Sequence, residues 1–329
     1  MHVDLIYLSP NPYGGWVTYT SHLMKTLRAV GITPKLYKVR ERTERNERDF
    51  GYGEKYQNVN TYYLKHSPNP KLIVAAAKNF YEATKWLWEH GAGLVVHDPT
   101  ELKNLPPDIA ESDRVIVVRQ IGQTYLPKAT FIRHPYVRVQ NPEPITRDKN
   151  AISVSRIDFD KHTEILLNAN RLLTTDKRIT IRGFENRIYT RFKIVPKYPE
   201  WQQSIGHFPR AEGEAFKLLQ QHAFHVDMSE IKGDGGGTQY TFLEAWDAGC
   251  VNIINEAWMQ NVQRDDMQPG FNCISVVDAE QLADYLGGGY TEGDLSRLRN
   301  LGYAQLALHH PTRIGNEYKE FINAKLRIR

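Results

Sequence analysis

Chemistry concentrates in Gly233-Asp234-Gly235-Gly236-Gly237-Thr238-Gln239-Tyr240-Thr241-Phe242-Leu243-Glu244-Ala245, where four glycines run into a segment patterned as a helix. Glycine lets a backbone approach a ligand closely, and the free N–H groups of a helix start bind phosphate. Asp234, Gly235, Gly236, Gly237, Thr238, Tyr240 and Thr241 are therefore candidates for holding a phosphorylated donor. Glu244 falls one turn inside the helix, where a carboxylate can accept hydrogen bonds from both hydroxyls of a ribose. The alternative is a glycine-rich surface turn ahead of a core helix, closed by Gly249.

A second constellation is Ser155-Arg156-Ile157-Asp158-Phe159-Asp160-Lys161, directly after the apolar run Ala151 to Ser155. In open α/β sheets, ligands bind beyond the carboxyl ends of the strands. Arg156 and Lys161, in a strand-to-helix loop, suit a diphosphate that gains negative charge as it departs: a guanidinium as a fork, an ammonium as a point charge. A pair of solvated loop charges is the plainer reading. Asp158 and Asp160 invite Mg²⁺ or Mn²⁺. The two cations flanking them answer the same electrostatic need, so the expectation is that no metal is required.

The elements that must position these groups follow from periodicity. Val3 to Leu8, Lys35 to Val39, Leu94 to Val96, Val115 to Val118 and Phe131-Ile132 read as strands, with helices from Val17 to Val30 and from Lys71 to Glu89. The charged stretch Lys35 to Arg48 is also compatible with an exposed helix pairing charges at i,i+4. Alternation restarts after the proline-containing linker Gln140 to Asp148. Strands at Ala151–Ser155, Ile179–Arg182, Ala223–Asp227 and Val251–Ile254 interleave with helices at Thr163–Leu173 and Thr241–Ala248. Leu295 to Lys325 is helical, broken near His310-Pro311. The expected architecture is α/β: two Rossmann-like domains, residues 1–140 and 150–308, about an interdomain cleft, with a helix at 309–329 returning to the first domain.

The length of 329 residues suits about two domains. No apolar run is long enough to span a bilayer, and with no basic residue ahead of the apolar stretch after Met1-His2-Val3-Asp4 no signal peptide is expected. With only Cys250 and Cys273, a disulfide framework is excluded and a cytoplasmic monomer is expected. Net charge is +4, divided as +6 in residues 1–150 and −2 in the remainder. A basic first half is compatible with a polyanionic acceptor such as duplex DNA, with Lys38, Arg40 and Arg42 as candidate phosphate contacts. No membrane partner is expected, although Phe80, Tyr81, Trp86 and Trp88 leave an amphipathic stretch open.

Arg156 and Lys161 in that setting, followed by the glycine loop and Leu243-Glu244-Ala245 with Gly249, resemble the retaining GT-B glycosyltransferases. More narrowly, Tyr240 to Glu244 with Gly249, Gly183-Phe184-Glu185-Asn186-Arg187, and Gly14-Gly15-Trp16-Val17-Thr18 resemble segments of phage-type DNA alpha-glucosyltransferases. The resemblance implies retaining hexosyl or pentosyl transfer from a UDP-sugar or similar co-substrate, with no further cofactor. It places Arg156 and Lys161 on the diphosphate, Glu244 on the ribose, and Gly183 and Phe184 at the base. It adds Gly14 and Gly15 to the donor set. It also implies a hydroxymethylated pyrimidine in DNA, such as hydroxymethylcytosine, as the acceptor of a bacteriophage enzyme in its host's cytoplasm. A lipid-linked or surface glycan is the alternative acceptor, and a non-catalytic nucleotide or nucleic-acid binding protein a third reading. Two departures stand out. Gly236 occupies the position of the family's sugar-contacting glutamate. The phage-type His-Asp pair has His97-Asp98 as its nearest counterpart, with Arg119-Gln120 and His134 as alternatives.

Overall fold

The computed structural model describes residues 1–9, 14–76, 81–104, 107–139, 147–207, 213–230, 237–259 and 266–326. The chain divides into two compact units: Met1–Val137 with Leu308–Arg329, and Arg138–Ala307. Each is an α/β unit built on its own mostly parallel sheet.

The first unit contains β1 (His2–Leu8), α1 (Gly15–Ala29), β2 (Thr33–Val39), β3 (Glu47–Gly51), β4 (Glu54–Val59), α2 (Thr61–His66), β5 (Lys71–Ala76), α3 (Tyr81–Glu89), β6 (Gly93–Val96), β7 (Val115–Val117), α4 (Gly122–Tyr125) and β8 (Thr130–Phe131). The strands form one sheet in the order β3-β4-β2-β1-β5-β6-β7-β8, parallel except for the β3–β4 pair.

The second unit contains β9 (Asp148–Val154), α5 (Thr163–Leu172), β10 (Thr180–Arg182), α6 (Arg187–Tyr189), α7 (Trp201–Ser204), β11 (Ile205–Gly206), α8 (Glu214–Leu219), β12 (His222–Asp227), α9 (Tyr240–Asp247), β13 (Val251–Asn255), α10 (Glu256–Met259), β14 (Ile274–Val276), α11 (Ala279–Gly288) and α12 (Glu292–Gln305). Its sheet is wholly parallel, in the order β11-β10-β9-β12-β13-β14. Side chains alternate across it. Ile152 and Val154 of β9 pack with Phe216 and Leu219 of α8 and Ala245 of α9, while Ala151 joins Leu166 and Leu167 of α5 and Leu282 of α11 on the other face.

The final helix, α13 (Pro311–Lys325), belongs to the first unit and lies against α1. Gly315 permits the approach, since a Cβ there would sit 2.9 Å from the Thr26 carbonyl oxygen. The buried hydroxyls of Tyr19 and Tyr318 share a hydrogen bond beneath it. Among the described residues no helix is long and apolar enough to cross a membrane.

Two sequence expectations are corrected. Lys71 to Glu89 is not one helix: Lys71–Ala76 is β5, buried between β1 and β6, and the described helix is Tyr81–Glu89. A strand covered on both faces is a continuous apolar run, which periodicity cannot separate from a buried helix. Lys35 to Arg48 is likewise not an exposed helix; β2 and β3 occupy its two ends. Of the expected linker, residues 140–146 lie outside the described residues.

Candidate functional site

In the second sheet, β9 is flanked by β10 on one side and β12 on the other. Successive connections therefore leave in opposite directions at β9 and β12, and the crevice at their carboxyl ends is where such sheets receive ligands. The loop after β9 carries Arg156 to Lys161, and the loop after β12 carries Ser229. Lys161 is buried, and its ammonium donates to Ser229 Oγ at 2.7 Å and to Gln239 Oε1 at 3.1 Å. It lies 3.7 Å from Asp227 Oδ2, at the end of β12. Burial opposes ionisation of Asp227, but Lys161, then His225 and the Ser229 hydrogen bonds, hold its carboxyl below the usual carboxylate range. The site thus contains a buried ion pair whose cation faces the start of α9.

Arg156 is different. Its guanidinium pairs with Asp158 Oδ2 and Asp160 Oδ2, each at 2.8 Å, and remains 59% exposed. Asp158 also accepts from the Phe159 amide and from Asn186 Nδ2, both at 2.8 Å. The D-x-D carboxylates are thus engaged with Arg156 and local backbone. Among the described residues no group of three or more His, Cys, Asp or Glu is arranged to hold a metal ion.

The start of α9 brings several polar groups together. Gly237 has φ +107°, a conformation that favours glycine, and leads into the extended N-cap Gln239. The Gln239 Nε2 and Thr241 Oγ1 atoms are buried without a hydrogen-bond partner among the described residues. Unpaired buried polar atoms are costly, so two of them at one helix end favour a polar ligand there. One turn on, the Glu244 carboxyl also has no hydrogen-bond partner among the described residues. Glu244 keeps some exposed surface, yet burial, with Asp247 nearby, pushes its pKa up to about 8. Thr238 faces elsewhere: it is buried, and its hydroxyl donates to Asp266 Oδ2 at 2.8 Å, which anchors the loop. Tyr240 is buried as well. Asp234, Gly235 and Gly236 lie outside the described residues.

Gly183 has a packing role. A Cβ there would sit 1.7 Å from the Ser155 carbonyl oxygen, because residues 182–186 run beside the loop after β9. Ser155 N donates to Arg182 O, and Ile157 N to Phe184 O. Gly183→Ala should therefore cost about 1–3 kcal/mol of stability through forced backbone shifts and displace Arg156. A variant with wild-type urea midpoint and activity would refute the close approach. Phe184 is 52% exposed, with His207 beside it at 6.4 Å between ring centroids.

In the first unit, Gly14 caps α1 with φ +102°, and Gly15 begins the helix; both are exposed. His97, at the end of β6, is buried; its Nε2 is 2.8 Å from the Val74 carbonyl, so that nitrogen carries the proton. Burial lowers its pKa to about 4. The ring is neutral at pH 7, with Nδ1 as its acceptor. Asp98 beside it is half-buried. Glu101, which sequence reasoning missed, accepts from the His97 amide and from Trp16 Nε1, each at 3.1 Å, and burial raises its pKa well above the ordinary value. Arg119 and Gln120 follow β7 and are half-buried. His134 is buried, and its carbonyl accepts from His309 Nδ1 at 2.7 Å.

The basic trio divides. The Lys38 ammonium lies over the rings of Tyr56, Tyr7 and Phe50 at 4.4, 5.1 and 5.5 Å, and burial lowers its pKa. Arg40 and Arg42 are exposed and line a concavity of about 800 Å³ with Arg48, Glu41, Glu44 and Asn58. Arg48 is paired with Glu44 at 2.8 Å.

Asp227, Ser229 and Gln239 were not singled out from the sequence. The available signal was an aspartate closing an apolar strand, at the carboxyl end where ligands gather.

No family model matches this sequence, and no curated protein matches it by sequence. Solved structures do match the fold. Anabaena HepE in complex with UDP and glucose superposes with TM-score 0.71 at 12% identity, covering 98% of this chain and 100% of that one. The pneumococcal O-GlcNAc transferase GtfA in complex with UDP and GlcNAc gives 0.67 at 11%, covering 100% and 99%. An alpha-glucosyltransferase in complex with UDP and a 13-mer DNA containing an HMU base gives 0.68 at 12%, covering 98% and 99%.

Proposed function

We propose that this chain is a retaining glycosyltransferase that moves a sugar from a UDP-sugar to a hydroxymethylated pyrimidine in DNA. The observation that carries the reading is the β9–β12 crevice, where buried Lys161 comes together with two polar atoms at the start of α9 and a Glu244 carboxyl that have no hydrogen-bond partner among the described residues. Solved structures of the same fold in complex with UDP support the nucleotide.

In this reading the diphosphate lies against the start of α9, the ribose hydroxyls donate to Glu244, and the base lies by Gly183 and Phe184. The bond between the anomeric carbon and the phosphate oxygen breaks as the acceptor oxygen bonds to that carbon on the same face. The acceptor proton passes to the departing phosphate. Lys161 and the α9 amides stabilise the charge that grows there, with Arg156 as an outer contributor. No protein nucleophile is required. For Gly14 and Gly15 a donor-binding role, and for His97 and Asp98 a role in orienting the acceptor hydroxyl, are proposed on the family resemblance alone.

DNA as the acceptor rests on the basic first half of the chain and on the likeness to a fold solved with DNA containing an HMU base. The test offers nucleotide-sugars with hydroxymethylated and unmodified DNA of one sequence, and reads incorporation by nucleoside mass spectrometry. Sugar should enter only the hydroxymethylated DNA. Negligible signal from both, with transfer to a lipid-linked glycan, would move the acceptor to that class. Donor binding with neither transfer nor hydrolysis would return the chain to a non-catalytic binding protein.

A further inference from the structure

The segment after β10 is unlike the rest of its unit. From Arg187 to Pro199 the chain carries Arg187, Arg191, Lys193 and Lys197 and no carboxylate, whereas residues 151–329 as a whole are net negative by 2. Helix α6 continues as a π-helical segment, Thr190–Ile194. Tyr189, Thr190, Ile194 and Tyr198 face inward and are buried, and all four cations are exposed on the other side. Among the described residues none of the four is ion-paired. Between them stand large apolar tips: Ile188 is 63% exposed, Phe192 65% and Val195 48%. A soluble surface normally mixes charge signs and does not set exposed apolar tips among unpaired cations of one sign.

We infer that the outer face of residues 187–197 is a docking surface for duplex DNA, in which Arg187, Arg191, Lys193 and Lys197 meet phosphates and Ile188 and Phe192 contact the groove wall. This rests on the DNA-acceptor reading and deepens it by giving the second unit its own contact with the acceptor. Charge complementarity selects the occupant. Four cations outnumber three apolar tips, and two are guanidiniums at i,i+4, whose forks match phosphate. An anionic bilayer would also attract the cations. Stable peripheral anchoring, however, needs a larger buried apolar face than these short turns offer. Apolar wedges beside arginines are also a recurrent way of gripping duplexes.

The experiment compares the wild-type protein with a variant carrying Arg187→Gln, Arg191→Gln, Lys193→Gln and Lys197→Gln together. It uses a fluorescent duplex with one hydroxymethylated pyrimidine across a salt series, alongside UDP calorimetry. The variant should bind the duplex about 10²-fold more weakly at low salt, and its log–log salt slope should flatten by about two to four. UDP affinity should be unchanged. A second variant, Phe192→Ser with Ile188→Ser, should weaken binding without changing the slope. Equal duplex affinity and slope in wild type and quadruple variant, with sugar still transferred to DNA, overturns this surface and leaves the acceptor reading intact. A wild-type protein that neither binds nor modifies the duplex overturns both. In that case flotation with phosphatidylserine vesicles, lost in the quadruple variant, would assign the face to lipid.

Discussion

Lys161→Ala should lower sugar transfer by about 10²-fold or more, because it removes a buried cation from the point where phosphate charge grows. The same substitution should cost about 3–5 kcal/mol of stability, since Asp227 would be left buried without its counter-charge. The two effects separate in a double variant. Lys161→Met with Asp227→Asn removes both charges and should recover most of the stability while staying as inactive as Lys161→Ala. Urea unfolding reads the first quantity and steady-state transfer the second. Recovery of turnover in the double variant would mean that Lys161 acts only as a structural counter-ion, and its catalytic role would fall. Arg156→Ala should be the milder change, about tenfold in turnover, because Arg156 is largely exposed and already neutralised by Asp158 and Asp160.

Glu244→Ala should weaken UDP binding by about 1–3 kcal/mol, equivalent to roughly 5- to 150-fold, the scale of hydrogen bonds to a charged group. Binding should also carry a pH signature. The free protein holds the Glu244 carboxyl protonated up to a pKa of about 8. Two donating ribose hydroxyls favour the carboxylate, so binding should release a proton below that pH. Affinity should rise with pH towards about 8 and then level off, whereas Glu244→Gln should be flat. The stability sign runs the other way from an ordinary salt-bridged carboxylate. With the folded pKa raised, the native state binds more protons than the unfolded chain between the usual carboxylate pKa and about 8. Stability therefore falls across that window, and Glu244→Gln should remove the fall. Calorimetry in buffers of differing ionisation enthalpy counts the proton. PH-independent UDP binding by the wild type, matched by the Ala variant, would remove Glu244 from the nucleotide site.

The strand-loop-helix settings of Arg156, Lys161 and Glu244 were all readable along the chain. Strands and amphipathic helices report themselves through period 2 and period 3.6, and a glycine run before a helix reports a possible anion site. The two-unit α/β architecture followed from the same alternation. Errors fell where local pattern is degenerate. Leu72–Ala76 is a continuous apolar run because β5 is covered on both faces. Nor did any local pattern show that Lys38, on β2, packs its ammonium against aromatic rings of β1, β3 and β4. What only the tertiary structure decided is which groups share a site. Lys161 meets Asp227 and Gln239, 66 and 78 positions away, because the strand order places β9 beside β12. Gly183 is required because another backbone passes beside it, and the cations of residues 187–197 matter because the fold leaves them exposed and, among the described residues, without an ion-pair partner. Sequence periodicity records which face of an element is buried. Strand order, which no local pattern encodes, determines what that face and the loop beyond it will meet.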